Sequence, residues 1–339
     1  PVGDYNWRVR VWNKSDEPSS WSDKGRFIIT NVKASFGESR WIGAITKADA
    51  HTPEGRIFHG SEMKKETVKA AWAAADSLSR KSIYVRTTFT SQQKKVKQAV
   101  VNICGLGLYE LSINGKKVGN SEFTPLISDY DKSVWYNTYD VTTLLQKGNN
   151  AIGVLLGNGF YNVQGGRYRK LLISFGPPTV RLQLTIHYED GTSQTVASDK
   201  TWKYDFSPVT FNCIYGGEDY DARQEQKGWN MAKFNDTLWN QVVVQEGPKG
   251  VLRPQIAAPV AIMEHYSPIS ATHLPDSLLA AASKSTKRKV DASAIVLDMG
   301  QNLAGFPEIT VRGKRGQKVT LVVAEALTEE GACNQRQTG

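Results

Sequence analysis

Apolar and polar positions alternate along much of this chain. Tyr5, Trp7, Val9 and Val11 interleave with Asn6, Arg8, Arg10 and Trp12, the period of two that marks a half-buried strand. A turn at Asp16-Glu17-Pro18 and a second short strand over 26–29 complete a hairpin. Two strands alone are marginal in water, so the hairpin must pack on something. Earlier strands of its sandwich are expected outside the chain.

The pattern then changes. One helix is predicted, over 64–75, where Ala70, Ala71, Ala73, Ala74 and Ala75 supply propensity but the apolar face is thin. Such a segment reads as a surface helix or an ordered insertion. From Ile83 onward short strands follow one another, at 83–88, 99–104, 108–113, 134–139, 151–156, 180–188 and 194–197. Asn114-Gly115 and Asp190-Gly191 predict type I′ hairpin turns, and Asp140 predicts a capped helical turn over 140–145. Strands at this spacing imply an all-β fold of consecutive β-sandwich domains, with a jelly roll at the centre. A break at 246–250 and a linker over 253–259 lead to a second β region, with strands at 260–264, 295–298, 306–311 and 319–324 and a basic loop at 283–289.

Composition narrows the class. The 339 residues are 40% hydrophobic and 22% charged, the balance of a soluble globular protein of two or three domains. No apolar run approaches the ~18 residues of a membrane-spanning helix. Lys and Arg exceed Asp and Glu by 42 to 33, a net charge of +9. The basic clusters Lys94-Lys95-Val96-Lys97 and Lys287-Arg288-Lys289 interleave no aromatics, so they read as solvated loops and no nucleic-acid partner is expected. Three cysteines without a CxxC exclude a zinc ribbon and a disulfide-dense scaffold, and leave one bridge open. The chain opens on Pro1-Val2-Gly3 without the features of a signal peptide, and both ends are expected to be cut.

Three polar clusters hold the candidate chemistry. Glu218, Asp219 and Asp221, after Gly216-Gly217 and before Arg223, offer oxygens to a hard cation such as calcium or to sugar hydroxyls. The same residues also read as an Asp–Arg bridge closing a strand. Asp129 and Asp131 sit two apart on a loop, a spacing suited to a shared cation or simply to a turn. Asn158, Phe160 and Tyr161 follow small residues that admit a ligand, and the run ends near Arg167-Tyr168-Arg169; a strand end with a bulge fits equally well. No HExxH, GxSxG, Walker or GxGxxG motif is present.

The order of these segments resembles the N-terminal half of the family 78 glycoside hydrolases, the bacterial α-L-rhamnosidases. The resemblance begins at Tyr5-Asn6-Trp7-Arg8-Val9-Arg10-Val11-Trp12 and Trp21-Ser22, passes through Trp41-Ile42-Gly43 and the runs at 78–86 and 105–115, and continues at 136–142 and Gly157-Asn158-Gly159-Phe160-Tyr161. Gly217-Glu218-Asp219-Tyr220-Asp221-Ala222-Arg223, Gly228-Trp229 and Asp298-Met299-Gly300-Gln301-Asn302 complete it.

The resemblance implies a division of the chain. Residues 1–30 would be the last strands of a fibronectin-III-like domain, 31–78 a lead-in with a short helix, 79–247 a jelly-roll module resembling carbohydrate-binding domains, and 248–339 a partial sandwich before the catalytic barrel. It further implies inverting hydrolysis of terminal α-L-rhamnose by two carboxylates in an (α/α)6 barrel absent from this chain, so no catalytic residue is assigned here. Rhamnose-containing glycans and the protein's own C-terminal catalytic domain are the implied partners, in a periplasmic or extracellular setting. Calcium is an optional cofactor in some relatives. The relatives' site is not matched residue by residue; by their own chemistry Asn158, Tyr161, Asp129 and Arg223 are the sugar candidates, and Glu218, Asp219 and Asp221 the calcium candidates. A rhamnose-binding module and a scaffold for the barrel are the alternative roles.

Overall fold

Ile83, Val85, Leu111, Ile113, Ile152 and Val154 all point one way from their strands, and they meet Val101, Ile103, Leu182 and Leu184 from a facing sheet. That encounter makes the central β-sandwich. The computed structural model describes residues 3–29, 35–51, 57–58, 65–74, 76–163, 171–214, 216–286, 289–314, 316–329 and 332–334. Strands dominate it, and two compact units divide the chain, Pro1–Ala261 and Ile262–Gly339.

In the first unit one sheet is built around the antiparallel pair Val96–Leu106 and Thr179–Tyr188. Ser133–Asp140 flanks it on one side, with Val251–Pro254 added in parallel. Trp41–Gly43, Val243–Gln245 and Ser193–Ala197 extend the other side. The facing sheet runs Asn240–Gln241, Lys203–Phe206, Ile83–Thr90, Asn149–Gly157, Leu108–Ile113 and Lys116–Lys117. Trp202 and Tyr188 close the shared core.

Every strand predicted between 83 and 197 is present. The Asn114-Gly115 turn has both residues at positive φ, +51° and +82°, as type I′ requires. Asp190-Gly191 differs, because only Gly191 takes positive φ (+84°). The Tyr188 N–H donates to the Thr192 carbonyl at 2.9 Å, so the loop holds three residues, 189–191, and Asp190 Oδ1 accepts the Thr192 N–H and hydroxyl at 3.0 and 2.6 Å. The predicted turn at 140–145 is a 3₁₀ turn, Thr142–Leu144, with Asp140 Oδ1 accepting the Thr142 N–H. The predicted helix is Lys65–Ala74. The supposed linker at 253–259 begins inside the strand Val251–Pro254, whose backbone pairs with Ser133–Tyr136.

The N-terminal hairpin is shorter than its alternation implies. Gly3–Trp7 pairs with Gly25–Ile29, but Val9 and Val11 form no ladder. Instead Ser22 Oγ accepts the Val9 N–H at 3.0 Å and Ser19 Oγ accepts the Val11 N–H at 3.1 Å. Serine hydroxyls here replace strand carbonyls. The Arg10 guanidinium lies between the Trp12 and Trp21 rings, 4.9 and 4.7 Å from their centroids.

In the second unit, Ser270–His273 pairs with Ile295–Asp298. Helix Leu279–Thr286 contributes Ala282 to a small cluster with Leu274 and Ala332. The predicted basic loop is thus helical up to Thr286, while Lys287 and Arg288 lie outside the described residues. The strands expected at 306–311 and 319–324 form no ladder among the described residues, and Phe306, Val311 and Val323 are exposed. Alternation alone makes no strand, because ladder hydrogen bonds need a neighbouring backbone. The strand expected at 260–264 is reduced to Val260–Ala261, which belongs to the first unit and pairs with Ser121–Glu122.

Candidate functional site

Asn158 is 1% exposed, and its side chain is spent on the backbone of the sandwich. Its Nδ2 donates to the carbonyls of Arg80 (2.7 Å) and Asn212 (3.1 Å), and its Oδ1 accepts from Asn162 Nδ2 at 2.9 Å. The residue ties together three chain segments that meet at one end of the sheets. Tyr161, 6% exposed, is stacked on Phe175 and set edge-on to Tyr130, with its hydroxyl donating to the Phe175 carbonyl at 3.3 Å. Burial pushes its phenol well above the usual range.

The remaining sequence candidates are at the surface. Asp129 pairs with Lys132 Nζ at 3.1 Å, and its carbonyl accepts the N–H groups of Lys132 and Ser133, which makes a turn. Arg223, with 86% of its side chain exposed, grips Asp221 through Nε and Nη2 at 2.7 Å each. The hydrogen bond from Arg223 holds the Asp221 carboxyl far below the ordinary carboxylate range. Glu218 and Asp219 are neighbours on the exposed strand Gly217–Tyr220, so their side chains leave opposite faces. Calcium takes six to eight oxygens. Among the described residues no group of three or more Asp, Glu, His or Cys side chains comes together in a way that would hold a metal ion. The donor set read from Glu218, Asp219 and Asp221 does not fit that ion. Tyr215 and Arg167-Tyr168-Arg169 lie outside the described residues.

A different constellation occupies the outer face of the six-stranded sheet. The register sets Tyr84, Leu155 and Glu110 side by side on three adjacent strands. Arg86, Gly153, Ser112 and Lys117 form the next row. Since Ile83, Val85, Tyr109, Leu111, Ile152 and Val154 face the core, both rows face outwards. The segment 222–239 crosses this face and lays Trp229 on Tyr84.

Gly153 permits that approach: a Cβ there would sit 2.6 Å from Trp229 Cζ3 and 2.8 Å from Asn230 Cβ. Asn230 is pinned in turn. Its Nδ2 donates to Ser112 Oγ at 3.0 Å, Ser112 Oγ donates to the Gly153 carbonyl at 3.1 Å, and the Asn230 carbonyl accepts the Gly115 N–H at 3.1 Å. A cleft of about 230 Å³ remains, lined by Glu110, Ser112, Lys117, Leu155, Trp229 and Asn230 together with Tyr84.

Behind it lies a fixed charge. Arg86 is fully buried against the rings of Phe234 and Trp239, and it pairs with Asp236, which also receives Lys203 Nζ at 2.9 Å. Burial, with the Glu225 carboxylate next, pushes the Tyr84 phenol up to about 12, so it is a neutral wall at physiological pH. A second cleft, of about 280 Å³, has Lys81, Ser82, Phe206, Thr210 and Gln224 in its lining and contains no carboxylate.

Glu110, Trp229 and Asn230 were not among the candidate site residues, although the run 105–115 and Gly228-Trp229 carried the family resemblance. One signal was available: a glycine inside a strand, at Gly153, marks a place where something approaches the backbone closely.

Comparison with known proteins places this architecture. The family described as the alpha-L-rhamnosidase N-terminal domain matches residues 94–264, and the bacterial alpha-L-rhamnosidase concanavalin-like domain matches residues 288–339. An alpha-L-rhamnosidase of Formosa agariphila is 35% identical over 334 residues, 96% of this chain and 32% of the relative. The solved alpha-L-rhamnosidase from Dictyoglumus thermophilum is 33% identical with a TM-score of 0.60, over 80% of this chain and 28% of that one. The native alfa-L-rhamnosidase from Aspergillus terreus is 26% identical with a TM-score of 0.64, over 89% of this chain and 30% of that one. The chain spans about a third of the length of the curated relatives it matches.

Proposed function

We propose that this chain, which belongs to the family of alpha-L-rhamnosidase N-terminal domains, is the non-catalytic β-sandwich region of an enzyme that removes terminal α-L-rhamnose from glycans or glycosides. The observation that carries the reading is the run of two rhamnosidase domain families along the chain, at 94–264 and 288–339. The chemistry of the clefts supports it. Glycoside hydrolysis uses two carboxylates facing each other ~5–9.5 Å apart. Glu110 is the one carboxylate in the outer-face cleft, and the second cleft has none.

In this reading hydrolysis proceeds with inversion, on groups supplied by the catalytic domain of the same protein. The sandwiches buttress that domain. The setting is periplasmic or extracellular, where such glycans are met.

The test compares the 339-residue chain with its full-length parent on a chromogenic α-L-rhamnoside. Turnover by the parent and silence from the chain are expected, with NMR showing inverted configuration in the first rhamnose released. Turnover by the mass-verified chain, or a silent parent, overturns the assignment.

A further inference from the structure

Arg26 divides its guanidinium between two carboxylates from different parts of the first unit. Nε donates to Asp4 Oδ1 and Oδ2 at 2.8 and 3.0 Å, and Nη2 to Asp4 Oδ2 at 2.7 Å, all across the paired hairpin strands. Nη1 donates to Asp140 Oδ2 at 2.6 Å, at the end of the sandwich strand Ser133–Asp140. Asp140 is itself held, since its Oδ1 accepts the Thr142 N–H and hydroxyl at 3.0 and 2.5 Å. Thr142 Oγ1 accepts in turn the N–H of Ala99, a core residue with no exposure, at 2.8 Å. A continuous polar chain therefore runs from the sandwich core to the hairpin.

The aromatic pairs of the hairpin close on the hairpin itself. Tyr5 stacks on Phe27, the Trp7 ring lies over Gly25, and Trp12 and Trp21 enclose Arg10. Among the described residues none from the hairpin is buried or joins a core cluster of the sandwich. From this contrast we infer that the Arg26–Asp140 bond is an electrostatic hinge, which fixes the pose of the hairpin on the sandwich and releases it as ionic strength rises.

The geometry makes the bond easy to form and easy to break. Asp4 already holds Arg26 and Thr142 already holds Asp140, so closing the bond immobilises little further side chain. Arg26 nonetheless keeps 44% of its side chain exposed and Asp140 27%, where dissolved ions weaken a charge pair. Parts of a chain joined without a large apolar interface move relative to one another by default. Here charge supplies the restraint that apolar burial does not. The inference concerns this joint alone and is independent of the parent's activity.

The experiment measures residual dipolar couplings of the 339-residue chain at neutral pH in an uncharged gel, at ionic strengths of ~0.01 and ~1 M, between which the screening length falls from ~30 to ~3 Å. At low salt one alignment tensor should fit the strands of the hairpin and of the sandwich together. At high salt, and at low salt in Asp140→Asn, the hairpin couplings should shrink by about half or more while those of the sandwich keep their values. Asparagine still offers an oxygen to Thr142, so the turn at 142–144 is kept. Nuclear Overhauser contacts between Tyr5 and Phe27 should persist throughout, because the hinge moves an intact hairpin. Asp190→Asn, which removes the same charge from the Lys94 pair elsewhere, should leave the hairpin couplings unchanged. Hairpin couplings that resist both salt and Asp140→Asn would overturn the inference. So would a hairpin already decoupled at low salt, loss of the Tyr5–Phe27 contacts, or an equal effect of Asp190→Asn.

Discussion

The Trp229 indole lies almost flat on the Tyr84 ring, with centroids 4.1 Å apart and planes 20° apart. A residue in a surface loop is thereby locked to the outer face of a central strand, and Gly153 is the gap that admits it. Gly153→Ala should lift the indole off the sheet. We expect a loss of about 1–3 kcal/mol of stability, the usual cost of forcing extra volume into a packed contact. Urea denaturation followed by tryptophan fluorescence measures it; an unchanged midpoint would mean that the stack yields freely.

Asp236 carries two cations, Arg86 and Lys203, and Arg86 has no access to water. Removing the carboxylate strands a buried guanidinium. Asp236→Ala should therefore cost about 3 kcal/mol, whereas Arg86→Met combined with Asp236→Ala should recover much of that loss, since the charge goes with its partner. Denaturation midpoints of the two variants, compared at equal slope, provide the check.

Asn158→Ala removes the donor for the carbonyls of Arg80 and Asn212 and the acceptor for Asn162. The expected cost is about 2–3 kcal/mol, from several buried hydrogen bonds lost together. Thermal unfolding reads the effect, and a variant as stable as the parent would show that these bonds contribute nothing net.

Arg26 of the hairpin bridges Asp4 at 2.7 Å and Asp140 of the sandwich at 2.6 Å. The hydrogen bond from Arg26 lowers the Asp4 carboxyl. Burial pushes Asp140 up, but hydrogen bonds from Thr142 and Arg26 together bring it below its ordinary value. A carboxyl depressed in the fold stabilises it above the unfolded pKa, and that contribution is lost as pH falls through the folded value. The anchoring of the hairpin should be complete at pH 5 and above, weaken from about pH 4 downwards, and be lost only as pH passes the lowered folded values of Asp4 and Asp140. Carboxyl 13C shifts of Asp4 and Asp140 should titrate below the ordinary aspartate value, and an ordinary titration at both would sink the prediction.

Much of the fold was legible in local pattern. Between 83 and 197 each predicted strand exists, often within one or two residues of its predicted ends, because alternation, β-branched residues and turn dipeptides all agree there. At Asp190-Gly191 the dipeptide misled, since the last hairpin bond joins Tyr188 to Thr192 and the loop holds three residues instead of two. At 306–311 alternation was present without a ladder, because a strand needs two backbones and the pattern describes one, whereas at 9–11 the second backbone is there and serine hydroxyls take the N–H groups that a ladder would use.

The candidate site was less legible. Asn158 and Tyr161 have side chains suited to a sugar, and the sequence shows that chemistry without showing which way it points. The structure turns both inwards, where Asn158 satisfies backbone carbonyls and Tyr161 packs against aromatic rings. Glu110, by contrast, looked like an ordinary polar position in a strand.

The sequence by itself determined the class, the strand run and the family, because those depend on the identity and spacing of residues near each other in the chain. The cleft is built from positions as distant as Glu110, Leu155 and Trp229. Strand register brings the first two together, and the glycine gap at 153 brings the third. Register and close approach are set by packing across the whole sandwich, and only the tertiary structure could decide them.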